Sequence, residues 1–379
     1  MKKNVTYVRW SVFFLIERDK LSCCLSILAV SNFFEDNLTV ALQHRDLNVK
    51  KSILKLSALA LAVTSFNALA DAKPAVIYDT AGKFDKSFNE AVYQNGVKVM
   101  EAEGLKVREF EPQNEAQREQ GLRRLASRGF TPIVAVGFNM ASAVEKVATE
   151  FPDIHFTILD SVVDKPNVQS IVFKEHEGSF LVGALAAKAS KTGTVGFIGG
   201  MDIPLIRKFE CGYEQGAKYA NSDVTVLQNM TGSTPAAFSD PAKGSELAKS
   251  QFSKGADVIY AAAGGTGMGV YQAAKDAGKL AIGVDSNQNH LQPGTMLTSM
   301  VKLVGKAAKE SWKEEIAGNW KPGLKVLGLK ENAVDWAYDE YNKPLITADM
   351  KAYVDQVKAD IIAGKIKIHD YMSDNSCTY

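Results

Sequence analysis

The first ordered pattern of apolar and polar positions begins at Lys50-Lys51, continues as an apolar run from Ser52 to Phe66 and ends in Asn67-Ala68-Leu69-Ala70. A charged start, a short apolar middle and a small-x-small end form the signature of a secretory leader. The run from Ile53 to Phe66 is shorter than the roughly 20 apolar residues that span a bilayer, so a cleaved leader is expected rather than a membrane anchor. A buried core helix is the plain alternative. No cysteine follows the run, so nothing there supports lipid attachment. The reading predicts a leader over 49–70, cleavage near Ala70 and a mature chain from Asp71. Residues 1–48 mix Trp10, Cys23, Cys24, Phe33 and Phe34 with scattered charges and no sustained period, and read as an extension ahead of the working protein, with Val49 as the candidate start.

From Pro74 onward, short β-branched runs alternate with longer stretches of helical period. Strands are predicted at Pro74 to Tyr78, Lys106 to Phe110, Pro132 to Val136, His155 to Leu159 and Val168 to Phe173. Helices are predicted at Ser87 to Glu103, Ala116 to Ser127 and Ala141 to Glu150. The rhythm then restarts, with helices at Gly178 to Lys188, Leu205 to Tyr219, Lys243 to Lys254 and Gly269 to Ala277. Between them fall strands at Thr194 to Ile198, Val224 to Leu227, Asp257 to Ala262 and Leu280 to Val284. Such alternation predicts parallel sheets covered on both faces, here as two successive Rossmann-like α/β lobes. The remaining elements are a run at Met296 to Val301, a helix at Leu303 to Ala317, a strand near Lys325 to Leu329 and a helix at Ala348 to Ile362. They are too few for a third domain and are expected to complete the lobes, crossing between them more than once. Lobe 1 is expected to comprise 71–174 and about 286–320, and lobe 2 to comprise 175–285 and about 321–379.

Composition changes this picture little. The chain is 46% hydrophobic and 23% charged, and its net charge of +1 gives no footprint for nucleic acid or an anionic membrane. Only Cys211 and Cys377 follow the leader. They fit either one disulfide or two free thiols, because sequence separation says nothing of distance.

In open parallel sheets, ligands gather beyond the carboxyl ends of the strands. Those ends carry Asp79, Gly137-Phe138-Asn139, Asp160, Gly199-Gly200, Gly264-Gly265 and Asp285, so three carboxylates and two glycine pairs are expected to face one cleft. For each aspartate taken alone, a helix cap or Asx-turn is as good an explanation. Gly264-Gly265-Thr266-Gly267-Met268-Gly269 lacks dinucleotide-loop spacing, and no phosphate loop, nucleophile elbow or metal-spaced histidine set occurs. Neither a cofactor nor a metal is expected.

Asp79 to Ala91, reading DTAGKFDKSFNEA, resembles the opening motif of the basic membrane protein family, which includes bacterial purine nucleoside receptors. Further matches follow in order at Gly137-Phe138, Phe151 to Asp153, Phe156 to Asp160, Gly178 to Gly183, Gly196 to Gly200 and Ile203-Pro204. They continue at Phe209 with Gly212 and Gly216, Ala263 to Gly267, Gly283 to Asp285 and Thr298 to Lys302. The resemblance implies a type I periplasmic binding fold with a multi-crossover hinge, and a substrate-binding protein of an ABC transporter. It would act as a monomer in the periplasm, with no enzymatic activity, taking a nucleoside between its lobes and passing it to a permease. It also implies that Phe88 and Phe209 stack on the base, Asn89 and Asp79 hydrogen-bond it, and Asp160, Gly265, Asp285 and Lys302 surround the ribose. Tyr260 is a rival to Phe209, and Phe88 read by periodicity alone is a core residue. A receptor for another small solute, such as a sugar or autoinducer, is the alternative within this class. A nucleoside hydrolase or phosphorylase is the alternative outside it.

Overall fold

The computed structural model describes residues 72–378; the expected leader and the stretch before it lie outside them. Strands β1 (Ala75–Ile77), β2 (Arg108–Phe110), β3 (Ile133–Ala135), β4 (Phe156–Leu159) and β5 (Val168–Phe173) alternate with helices as the apolar pattern predicts. The first helix, α1, runs continuously through an α segment Phe88–Val92, a π segment Tyr93–Val97 and an α segment Lys98–Ala102. Helix α2 (Glu115–Ala126) starts where the Asn114 side chain accepts from the Gln117 amide, satisfying a donor the helix itself cannot. Helix α3 (Ala141–Glu150) completes the first series.

The second series consists of α4 (Glu175–Ala189), β6 (Thr194–Met201), α5 (Pro204–Ala220), β7 (Thr225–Gly232), α6 (Pro241–Ser253), β8 (Val258–Ala262), α7 (Gly267–Asp276), β9 (Leu280–Asp285) and β10 (Met296–Lys302). It is followed by α8 (Val304–Ile316), β11 (Gly323–Leu327), β12 (Val334–Trp336) and α9 (Ala348–Ile362). Two six-stranded sheets result, ordered β11-β5-β4-β3-β1-β2 and β12-β10-β9-β8-β6-β7. All pairings are parallel except β12 with β10, a short antiparallel edge the sequence pattern does not predict.

Sheet membership corrects the expected lobe boundaries. Met296–Lys302 pairs with β9 in the second sheet, whereas the sequence pattern places about 286–320 in lobe 1. Gly323–Leu327 pairs with β5 in the first sheet, whereas the sequence pattern places about 321–379 in lobe 2. The chain therefore crosses after β5, after β10 and between β11 and β12. A period of two shows which side chains share a face, but it carries no information about which sheet a strand joins. Helix α8 returns to lobe 1, where Trp312 is fully buried and donates its indole N–H to the Ala75 carbonyl.

Helix α4 is buried almost all round, packed between its sheet and α5. Glycines set how closely the two helices approach. A Cβ on Gly183 would lie 2.1 Å from the Tyr213 carbonyl oxygen, and one on Gly216 would lie 2.0 Å from that of Phe180. Those glycines are thus packing residues, and the contact they permit lets α5, which carries Lys208 and Phe209, lie close against α4.

Candidate functional site

A cleft partly open to solvent lies between the carboxyl ends of the two sheets. Asp79, Phe88, Asn89 and Asp160 border it from lobe 1, and Phe209, Asp285 and Lys302 from lobe 2. All but Phe209, which lies in the second turn of α5, sit at a strand end or in the first turn of a helix, which is where the topology brings the lobes together.

Asp160 and Asp285 both adopt the left-handed backbone region, with φ of 65° and 63°, as does Lys86 at 63°. Non-glycine residues there are uncommon and costly, although aspartate tolerates the conformation better than most. The strain turns both carboxylates off their strand ends into the cleft. Lys302 Nζ lies 2.6 Å from Asp160 Oδ2, 3.4 Å from Glu175 Oε1 and 3.8 Å from Asp285 Oδ1. Burial works against the ammonium, but these three carboxylates outweigh it and hold the lysine pKa above its ordinary value. Burial pushes the Asp160 carboxyl up to about 6, with Lys302 pulling it back only in part, and it raises Asp285 for the same reason.

The same ammonium lies 4.8 Å from the ring centre of Phe88, 5.2 Å from that of Phe209 and 5.4 Å from that of Phe173. Rings from opposite lobes therefore converge on one cation. Tyr260, the rival to Phe209, is fully buried against Phe197 and Tyr213 in the core of the second lobe.

Asp79 is held from several sides. Its Oδ1 accepts from the Thr80 amide at 2.7 Å and from Arg118 at 3.1 Å, and its Oδ2 accepts from Asn139 at 3.0 Å. Asn89 receives the Asp79 amide on its Oδ1 and donates from Nδ2 to the Gly82 carbonyl, so it shapes the Asp79–Gly82 loop as well as lining the cleft. Across the lobes, Ser87 Oγ donates to Asp285 Oδ2 at 2.8 Å, and Gln288 donates to the Lys86 carbonyl at 2.6 Å.

Two expected contacts fall elsewhere. Gly264 borders the cavity whereas Gly265 does not; a Cβ on Gly265 would sit 3.3 Å from the Phe238 carbonyl oxygen and 3.5 Å from that of Asp85. Gly199-Gly200 does not line the cavity either. A Cβ on Gly200 would land 2.1 Å from the Phe238 ring, so this glycine makes room for an aromatic that does. Phe238 meets Phe138 of the other lobe edge-on, with centroids 6.3 Å apart. Phe238, Asp85 and Arg118 belong to the site without a signal in the sequence pattern. Phe238 lies in a 3₁₀ turn, Pro235–Phe238, after β7, where period carries no signal. Asp85 accepts from the amides of Ser87, Asn89 and Glu90 and so caps α1 beside the cleft.

Two open α/β lobes joined by three crossings, with strand-end polar groups and converging rings around one cleft, define a substrate-binding protein of ABC transporters, not an enzyme. Residues 72–371 match the Bmp family, described as ABC transporter substrate-binding protein PnrA-like, and the chain belongs to that family. It is 32% identical over 357 residues to the ABC transporter nucleoside-binding protein BmpA of Lactococcus lactis, covering 84% of this chain and 99% of that one. It is 35% identical over 280 residues to an uncharacterized lipoprotein of Pyrococcus horikoshii, covering 70% and 68% of the respective chains. A solute-binding protein of an ABC transporter system from Aeropyrum pernix superposes with a TM-score of 0.74 at 28% identity, covering 81% of this chain and 95% of that one. Its likeness accords with the periplasmic-binding-protein fold. Among the described residues no helix is long and apolar enough to cross a membrane.

Proposed function

We propose that the cleft captures a nucleoside and that the closed protein presents it, as a monomer in the periplasm, to an ABC permease. The observation that carries this reading is the convergence of Phe88 and Phe209 on Lys302 beside Asp160 and Asp285. Aromatic faces suit a flat base, and each stacking contact contributes roughly 1–3 kcal/mol. Buried carboxylates suit ribose hydroxyls, since a hydrogen bond to a charged acceptor is about twice as strong as a neutral one. The name of the Lactococcus relative, a nucleoside-binding protein, supports the same reading. Export by the 49–70 leader accords with the Cys211–Cys377 disulfide, whose Cα atoms are 5.5 Å apart, because such bonds persist in oxidising compartments. A ligand bridging both lobes would stabilise the closed arrangement that the interlobe hydrogen bonds already favour.

Calorimetry with inosine, hypoxanthine and ribose tests the reading. Inosine is expected to bind at least about 100-fold more tightly than hypoxanthine, because losing the ribose leaves the cleft carboxylates without their donors. Equal affinities would remove Asp285 and Asp160 from ribose contact, and binding of ribose alone would make the protein a sugar receptor.

Proton linkage supplies a second prediction. Hydroxyls donating to Asp160 and Asp285 favour their ionised forms, so ligand binding lowers both raised pKa values and releases protons, for Asp160 near pH 6. Affinity is expected to fall as pH drops through about 6, with proton release visible near pH 6 in buffers of different ionisation heat. The free protein follows the opposite sign. Both carboxyls have a folded pKa above the unfolded value and so stabilise the fold at low pH, and the Asp160 contribution is lost as pH rises through about 6. Affinity that holds down to about pH 5 would overturn the assignment.

A further inference from the structure

Behind the cleft, and outside its lining, lies a second buried lysine. Lys208 is 5% exposed, and its ammonium donates to the Phe173 carbonyl at 2.7 Å and pairs with Glu175 Oε2 at 3.1 Å. Glu175, 1% exposed, thus spans two cations, because its other oxygen faces Lys302 at 3.4 Å. Lys208 has a further anion in Asp370 Oδ2, 3.5 Å away, and this same oxygen is 3.7 Å from His176 Nδ1. A continuous row of alternating charge therefore runs from Asp160 through Lys302, Glu175 and Lys208 to Asp370.

Asp370 belongs to a C-terminal strap tied along α5. Gln215 exchanges hydrogen bonds with the backbone of His369 at 2.8 and 2.9 Å, and Cys211 is bridged to Cys377. Lys208, Cys211 and Gln215 are spaced i, i+3 and i+7, so one face of α5 carries the lysine and both of its ties to the strap.

Buried charges are tolerated only when paired, and removing one partner of a pair is costly. Without Lys208, Glu175 would turn wholly to Lys302 and draw the ammonium away from Asp160 and Asp285. We propose that Lys208, held by Asp370 of the disulfide-clipped strap, is a positioning residue for the cleft: it occupies one oxygen of Glu175 so that Lys302 stays directed at Asp160 and Asp285. Lys208 acts through Glu175 and touches no ligand. The effect on nucleoside affinity rests on the nucleoside reading, whereas the position of Lys302 does not.

The test uses full-length mature protein bearing Lys208→Met, Lys208→Arg, Asp370→Asn or Cys377→Ser, with two readouts. Inosine affinity is measured by calorimetry, and the Lys302 Nζ resonance is followed by lysine-selective nitrogen NMR without ligand, assigned by its loss in Lys302→Arg. Lys208→Met is expected to weaken binding about 10-fold, in the range known for residues that couple to a site without contacting it, and to shift the Nζ resonance. Arginine at 208 should restore both. Asp370→Asn and Cys377→Ser, which leave the core charges in place, should move both readouts in the same direction by smaller amounts. Folded Lys208→Met with unchanged affinity and an unchanged resonance would overturn the proposal; if Lys208→Met does not fold, the two strap variants decide it by the same criterion. If the wild type binds no nucleoside, the functional reading fails, and the Nζ resonance alone decides the positioning role.

Discussion

Lys302→Met is expected to abolish ligand capture, weakening binding by at least about 100-fold, and to lower folding stability by about 3–5 kcal/mol. The methionine preserves much of the side-chain volume but removes, among the described residues, the only ammonium within 4 Å of Asp160 and Asp285. Glu175 keeps Lys208 as a partner, so the uncompensated charge falls mainly on the two ligand-facing carboxylates. Their pKa values, already raised by burial, rise further once Lys302 no longer opposes desolvation. Native carboxyls that take up protons more readily than unfolded ones stabilise the fold as pH falls, so the loss should be largest near pH 8 and smaller near pH 5. Denaturation by urea at both pH values, together with calorimetry, measures the two effects. A variant as stable as the wild type at pH 8 would show that the ammonium does not compensate these carboxylates. Lys302→Arg keeps the charge, but its planar guanidinium cannot take the place of a compact ammonium between Asp160 and the rings, so it should recover stability more fully than affinity.

The parts of this site that sequence reveals are those governed by local rules. Alternating apolar periods mark the strands, and the rule that ligands sit at carboxyl ends then singles out Asp79, Asp160 and Asp285. The resemblance adds Phe88, which period alone would place in the core, together with Phe209 and Lys302. Glu175, Lys208 and Phe238 escape because their roles depend on long-range packing. Glu175 opens a helix so apolar that a boundary at Gly178 seems natural, yet the helix begins at Glu175 and buries that carboxylate between two lysines. Gly183 and Gly216 enter in sequence only as matches of the resemblance, and their service to helix contact is visible only in the packing. The strained backbone at Asp160 and Asp285 leaves no compositional trace, since aspartate is equally at home in a cap. Strand-to-sheet assignment fails after Asp285 for a related reason: each crossing is a tertiary event with no local period.

Phe88→Ala is the second large effect, and it separates binding from folding. The ring is partly buried at the first position of α1, lines the cavity and packs only at the margin of the main core, in contrast to Phe209, which is 3% exposed. Truncation should therefore cost ligand affinity more than stability. Losing one face of a stacked base predicts about 1–3 kcal/mol of binding, or roughly 5- to 150-fold, and removal of the Lys302 cation–π partner at 4.8 Å acts in the same direction. Tyrosine or tryptophan at the same position should retain most of the affinity, since each preserves a π-face, whereas leucine should bind like alanine despite filling the volume. That ordering distinguishes stacking from simple packing, for which leucine would rescue. Calorimetry of the four variants with inosine, alongside their thermal melting, gives the comparison; an alanine variant with unchanged affinity would remove Phe88 from the ligand site.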